Sequence, residues 1–169
     1  MKLPAADDHG GLTGESHTRH GTRSGSDPAR FGAPAAGNRT GMAIDALRVG
    51  PVIPVSDMKA SRSFYEGTLG LKGRPAPGGY ALEAGGGTRV FLLEGTSYAG
   101  QAEWPLASFQ TDDLAATVAD LRGRRVQLEL MGDGDPYQTD ERGIADLGDM
   151  LIAWFRDPDD QVISVFQLK

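Results

Sequence analysis

The sequence predicts an α+β domain built from two similar β-α-β-β units in tandem. Two observations carry this expectation. Strand and helix patterns alternate in the same order twice after residue 43. An aspartate, Asp57 and then Asp113, also stands at each strand-to-helix junction, 56 residues apart.

Taken in order, Val49 to Val55 is a β-rich run, with Gly50, Val52 and Pro54 on one face and Ile53 and Val55 on the other. Ser56-Asp57 supplies an N-cap, and Met58 to Leu69 reads as a helix stopped by Gly70. Strands are expected at Tyr80–Ala84 and Thr88–Leu93. The triplet Gly85-Gly86-Gly87 between them reads as a hairpin turn, since it lacks the Gly-Lys-Ser/Thr ending of a phosphate loop. Leu106 to Thr111 is the next strand, and Asp112-Asp113 caps a second helix. Its Leu114, Val118 and Leu121, at i, i+4 and i+7, form one buried face, and Gly123 ends it. Val126 to Leu130 is expected as a strand. Gly132 to Gly148 reads as a long loop, either a solvated connector or a cover for the cleft. Met150–Arg156 and Gln161–Gln167 close the chain as a hairpin about Asp157-Pro158-Asp159-Asp160.

Composition excludes several functions. The net charge is −6, which lacks the basic footprint that phosphate neutralisation requires, so no nucleic-acid partner is expected. No cysteine is present, which removes disulfides, thiolate metal sites and cysteine nucleophiles together. No apolar run is long enough for a membrane span, and Met1-Lys2-Leu3-Pro4 leads into polar residues, so the expected location is the cytoplasm. The three histidines, His9, His17 and His20, all precede Gly21, leaving the rest of the chain without an imidazole base. Residues 1–41 hold eight glycines, no Val, Ile, Tyr or Trp, and one aromatic residue, Phe31. Such a segment buries too little apolar surface to offset ordering entropy, so residues 1–42 are expected to be a disordered extension and residues 43–169 the domain.

The runs Val52-Ile53-Pro54-Val55-Ser56-Asp57-Met58, Ser63-Phe64-Tyr65-Glu66 and Leu69-Gly70-Leu71 resemble the opening of a vicinal oxygen chelate domain, the glyoxalase / bleomycin-resistance / dioxygenase superfamily. Phe109-Gln110-Thr111-Asp112-Asp113-Leu114 and the ending from Ala153 to Ile163 resemble it too, and together the matches cover about 120 residues in order. The resemblance implies two tandem βαβββ modules forming a curled mixed sheet around a central cleft. It also implies a homodimer and either a divalent-metal enzyme or a metal-free binding protein. In metal-using members four inward positions carry His, Gln or Glu. Counting from the junctions places them at Gly50, near Phe91, at Leu106 and at Ser164, none of which is a ligand for a divalent ion. No metal, cofactor or catalytic residue is therefore expected.

The inward parity leaves a mostly apolar cup with a few polar groups, as small-molecule pockets present. The expected ligand-binding residues are Arg89, Phe91, Trp104, Ser108, Gln110, Trp154, Ser164 and Tyr80. The bland alternatives are that Phe91 and Trp154 are core and that Arg89 pairs with Glu83. The leading expectation is metal-independent binding of a small, partly apolar molecule. The alternative is an enzyme of the same superfamily using a displaced carboxylate-bound metal, from Glu83, Glu94 or Glu103, or a glutamate base, Glu83 or Glu94.

Overall fold

The computed structural model describes Ile44, Leu47 and residues 48–169. The expected disordered extension and its three histidines lie outside the described residues. Eight strands form two sheets of four. The first holds β1 (Val52–Val55), β2 (Lys72–Ala76), β3 (Gly79–Glu83) and β4 (Arg89–Glu94) in the order β1-β4-β3-β2. The second holds β5 (Ala107–Gln110), β6 (Ala145–Asp146), β7 (Met150–Arg156) and β8 (Val162–Leu168) in the order β5-β8-β7-β6. Each sheet begins with one parallel pair, β1 with β4 and β5 with β8, and is otherwise antiparallel. The expected tandem repeat is thus present, and each unit is a complete βαβββ module.

Both helices start where the aspartates stand. Asp57 accepts from the N–H groups of Lys59 and Ala60 to open α1 (Met58–Arg62), and Asp113 accepts from that of Ala116 to open α2 (Leu114–Gly123). The first helix does not keep one winding. From Ser63 to Thr68 it widens into a π-helical turn, closed by the Leu69 N–H donating to the Phe64 carbonyl at 2.9 Å. Phe64 and Tyr65, adjacent in sequence, both turn to the core there, their rings meeting edge-on at 5.3 Å. Gly70 ends the segment at φ +82°, a left-handed conformation that costs glycine little. The glycine triplet is the β3–β4 hairpin connection, as a tight 3₁₀ turn with Gly86 and Gly87 at positive φ.

Alternation fixes which face of each sheet is buried. Ile53, Val55, Tyr80, Leu82, Val90 and Leu92 turn one face of the first sheet inward. Ala107, Ala153, Phe155, Ile163 and Val165 do the same for the second. Both faces meet Tyr65, Leu114, Val118 and Leu121 from the helices in one continuous core. The two modules are therefore joined through their helix-covered faces.

Three expectations are corrected. Val126–Leu130 is not a strand: Leu128 makes a single bridge to Phe155, and Met131 then exchanges hydrogen bonds with Thr139 instead of continuing along β7. β2 was not anticipated, because Lys72-Gly73-Arg74-Pro75-Ala76 carries a glycine and a proline; as an edge strand it tolerates both. The long loop is more than a solvated connector. Met131 and Tyr137 pack on Ile152, Trp154 and Val162, covering the second sheet on the side away from the helices, and the loop also contributes the short strand β6.

Candidate functional site

The outer faces of the sheets carry the groups of interest. On the first sheet, Val52 pairs across to Phe91, Ala81 to Phe91 and Glu83 to Arg89, all on the face away from the helices. On the second, Ser108 pairs with Ser164 and Gln110 with Phe166. These registers make the modules superposable: Val52 corresponds to Ser108, and Phe91 to Ser164.

A cavity of about 700 Å³ opens between the free edge of β5 and the start of β4. Its lining includes Thr88, Arg89, Leu106, Ser108, Gln110 and Phe166. A second hollow of about 420 Å³ continues over the first sheet, with Arg74, Ala81, Arg89 and Phe91 in its wall. Arg89 borders both. Its guanidinium is half-exposed and approaches Glu83 only to 4.0 Å, so the anticipated partner is present but outside hydrogen-bonding range. Ser108 and Ser164 share a hydrogen bond at 2.7 Å between their hydroxyl oxygens, which satisfies the fully buried Ser164 and leaves Ser108 at the cavity wall.

The structure thus brings Arg89, Ser108 and Gln110 to one cavity, with Phe91 next door and Ser164 behind Ser108. Three expected residues stand elsewhere. Tyr80, 5% exposed, points to the helix side, where its hydroxyl donates to Glu66 and the Arg62 guanidinium lies 4.4 Å from its ring centroid. Parity explains this: Tyr80 shares the face of Leu82, while the open face takes Ala81 and Glu83. Trp154, 6% exposed, is on the outer face but lies under the loop, edge-on to Tyr137 at 6.0 Å. Trp104 is 48% exposed in the segment before β5 and does not line the cavity. Sequence reasoning missed Arg74 because it missed β2. Arginine and lysine alternating along Lys72-Gly73-Arg74 was the available signal.

The four positions that the fold offers a metal do not suit one. Phe91 and Leu106 have no donor atom, and the Ser164 hydroxyl is held by Ser108. At Gly50 even a Cβ would stand 2.4 Å from the Arg89 carbonyl oxygen, so no ligating side chain fits without a shift of backbone. A displaced carboxylate set is not assembled either. Glu94 accepts from the Met58 N–H at the start of α1, Glu83 lies between Arg74 and Arg89, and no three His, Asp or Glu among the described residues converge on an ion.

Residues 44–165 match the model of the Glyoxalase/Bleomycin resistance protein/Dioxygenase superfamily. The chain belongs to this superfamily. Among solved structures, the glyoxalase-type fold here is similar to TnmS3, an antibiotic binding protein from Streptomyces sp. CB03234. Identity is 25% and the TM-score 0.51, over 73% of this chain and 98% of that one. It is also similar to the fosfomycin resistance protein FosX from Listeria monocytogenes, at 12% identity and a TM-score of 0.52, over 73% of this chain and 94% of that one. UcmS2 matches at 15% identity and a TM-score of 0.54, over 71% and 98% of the two chains. At these lower identities the likeness is one of fold. Comparison with curated proteins finds no match. Among the described residues no helix is long and apolar enough to cross a membrane.

Proposed function

We propose that this glyoxalase-superfamily protein binds a small, partly apolar molecule without a metal, in the cavity between β5 and the start of β4. The observation that supports this is the convergence there of Arg89, Ser108 and Gln110 against Leu106 and Phe166, in a volume suited to a drug-sized ligand. The polar groups are few and held on strands, which suits orientation of a ligand more than proton transfer. The similarity to an antibiotic binding protein points the same way.

The test uses the purified full chain. Elemental analysis is expected to find no stoichiometric metal, and divalent ions are expected to leave the melting temperature unchanged. A thermal-shift screen of amphipathic small molecules, antibiotics included, should yield binders that Ser108→Trp, which fills the cavity, no longer recognises. Stoichiometric metal, or binders indifferent to Ser108→Trp, would overturn the reading.

The protein is also proposed to be a homodimer. β1 closes one end of the first sheet with an unpaired edge, and Val49 just before it is exposed. Sedimentation velocity should give a dimer at micromolar concentration; a monomer throughout that range would refute it.

A further inference from the structure

The first sheet's open face gathers several cations about one carboxylate. Lys72 pairs in register with Glu83, and Glu83 with Arg89, so all three side chains project from the same face, and Arg74 follows two residues after Lys72. Three cations thus share a face with one carboxylate, and two of them approach it. Glu83 Oε1 is 3.9 Å from Arg74 Nε and 4.0 Å from Arg89 Nη2, so one oxygen stands between two guanidiniums and hydrogen-bonds to neither. Arg48 adds a fourth positive charge, lining a hollow that it shares with Arg89. This patch is set in a chain whose net charge is −6.

The apolar part of the face lies directly beside the cations. Phe91 follows Arg89 by one pleat and is flanked across the ladder by Val52 and Ala81, and all of them are at least partly open to solvent. On the second sheet Met131 and Tyr137 cover Ile152, Trp154 and Val162, and the part left open along β5 presents Ser108 and Gln110 with no cation on that strand. A guanidinium without a close acceptor retains N–H donors for a ligand, and charge-assisted hydrogen bonds to an anion are the stronger kind. Exposed, poorly aligned pairs such as Arg89–Glu83 contribute little by themselves, so a ligand anion can displace Glu83 at small cost.

We propose that the ligand is an anionic amphiphile: a flat apolar body laid on Phe91, Val52 and Ala81, with one acidic group, carboxylate, sulfonate or phosphonate, held by Arg89 and Arg74. This rests on the proposed binding reading and extends that site into the second hollow, which adjoins the cavity at Arg89. Glu83 acts as a built-in competitor for the same two guanidiniums, setting a threshold that a neutral ligand gains nothing by crossing.

The test compares two probes that share an aromatic skeleton, anilinonaphthalene sulfonate and the uncharged N-phenyl-naphthylamine, by fluorescence titration of the full chain. The sulfonate is expected to bind about tenfold more tightly than its neutral counterpart, the size of effect that one charge-assisted contact supplies. Arg89→Gln and Arg74→Gln should each remove most of that advantage and leave the neutral probe unaffected. Glu83→Gln should tighten the sulfonate alone, a gain that damaged folding cannot produce. Equal affinity of the two probes, or sulfonate affinity indifferent to all three substitutions, overturns the anionic class. In that case, loss of both probes in Ser108→Trp would leave the cavity reading standing. If neither probe binds wild-type protein, the cavity reading falls as well.

Discussion

Replacing Phe155 with alanine is expected to destabilise the protein by about 3–5 kcal/mol, the range for truncating a buried aromatic ring. Phe155 is 1% exposed and sits on β7 where the two modules meet. Its ring lies 6.3 Å from that of Phe64, which comes from the π-helical turn of the first module. Few atoms are free to collapse into the space left behind, because rigid strands border it: β8 pairs Ile163 to Phe155, and Leu128 bridges it from the other side. The cavity term therefore adds to the lost transfer energy. Chemical denaturation of the wild type and Phe155→Ala would measure it, and a change below about 1 kcal/mol would show that the modules are not held together through this ring.

The second large effect is expected at Asp157. This buried carboxylate accepts from the Tyr65 hydroxyl at 2.8 Å and from the backbone N–H groups of Asp159 and Gln161, both at 2.9 Å. Asp157→Ala strands the fully buried Tyr65 hydroxyl and frees two donors in the β7–β8 turn. The expected cost is about 3–5 kcal/mol, summing unsatisfied groups of about 1–3 kcal/mol each. Tyr65→Phe, which removes only one bond, should cost about 1–2 kcal/mol.

Asp157 also gives the stability a pH signature. Burial holds its carboxyl above the ordinary 3.8, against the opposing pull of the Tyr65 and backbone hydrogen bonds. Burial and the neighbouring Asp157 charge likewise push the Tyr65 hydroxyl far up, so it remains a donor throughout. A carboxyl with a folded pKa above its unfolded value takes up a proton on folding. Its contribution is greatest below the unfolded pKa and is lost as the pH rises through the folded one. Asp157→Asn keeps an acceptor for the backbone N–H groups, and its amide can donate to the tyrosine oxygen, but it has no proton to take up. Melting temperatures of both proteins between about pH 7 and pH 4 should therefore diverge, with the wild type improving relative to Asp157→Asn as the pH falls. A constant or shrinking difference would contradict this.

What the sequence could tell depended on how local each signal was. Asp57 and Asp113 each cap a helix through N–H groups two or three residues away, so their role was readable from neighbours alone. That Arg89 and Phe91 share one strand face, as do Ser108 and Gln110, was readable for the same reason, since alternation along a strand needs no knowledge of the rest of the fold. β2 was hidden, because its residues favour no strand by themselves and only the neighbouring β3 makes them one.

The site divides along the same line. Sequence by itself determined the superfamily, the tandem modules, and that Gly50, Phe91, Leu106 and Ser164 offer a divalent ion no ligands, because residue identity settles donor chemistry. Only the tertiary structure decided that Tyr80 belongs to the core, that Trp154 is covered by the Met131–Tyr137 loop, and that Trp104 stands away from the cavity. It also brought Arg74 of β2 and Arg89 of β4 to either side of Glu83 on β3, with Lys72 on the same face. Burial and charge clustering are properties of what surrounds a residue, and those surroundings come from segments far away along the chain.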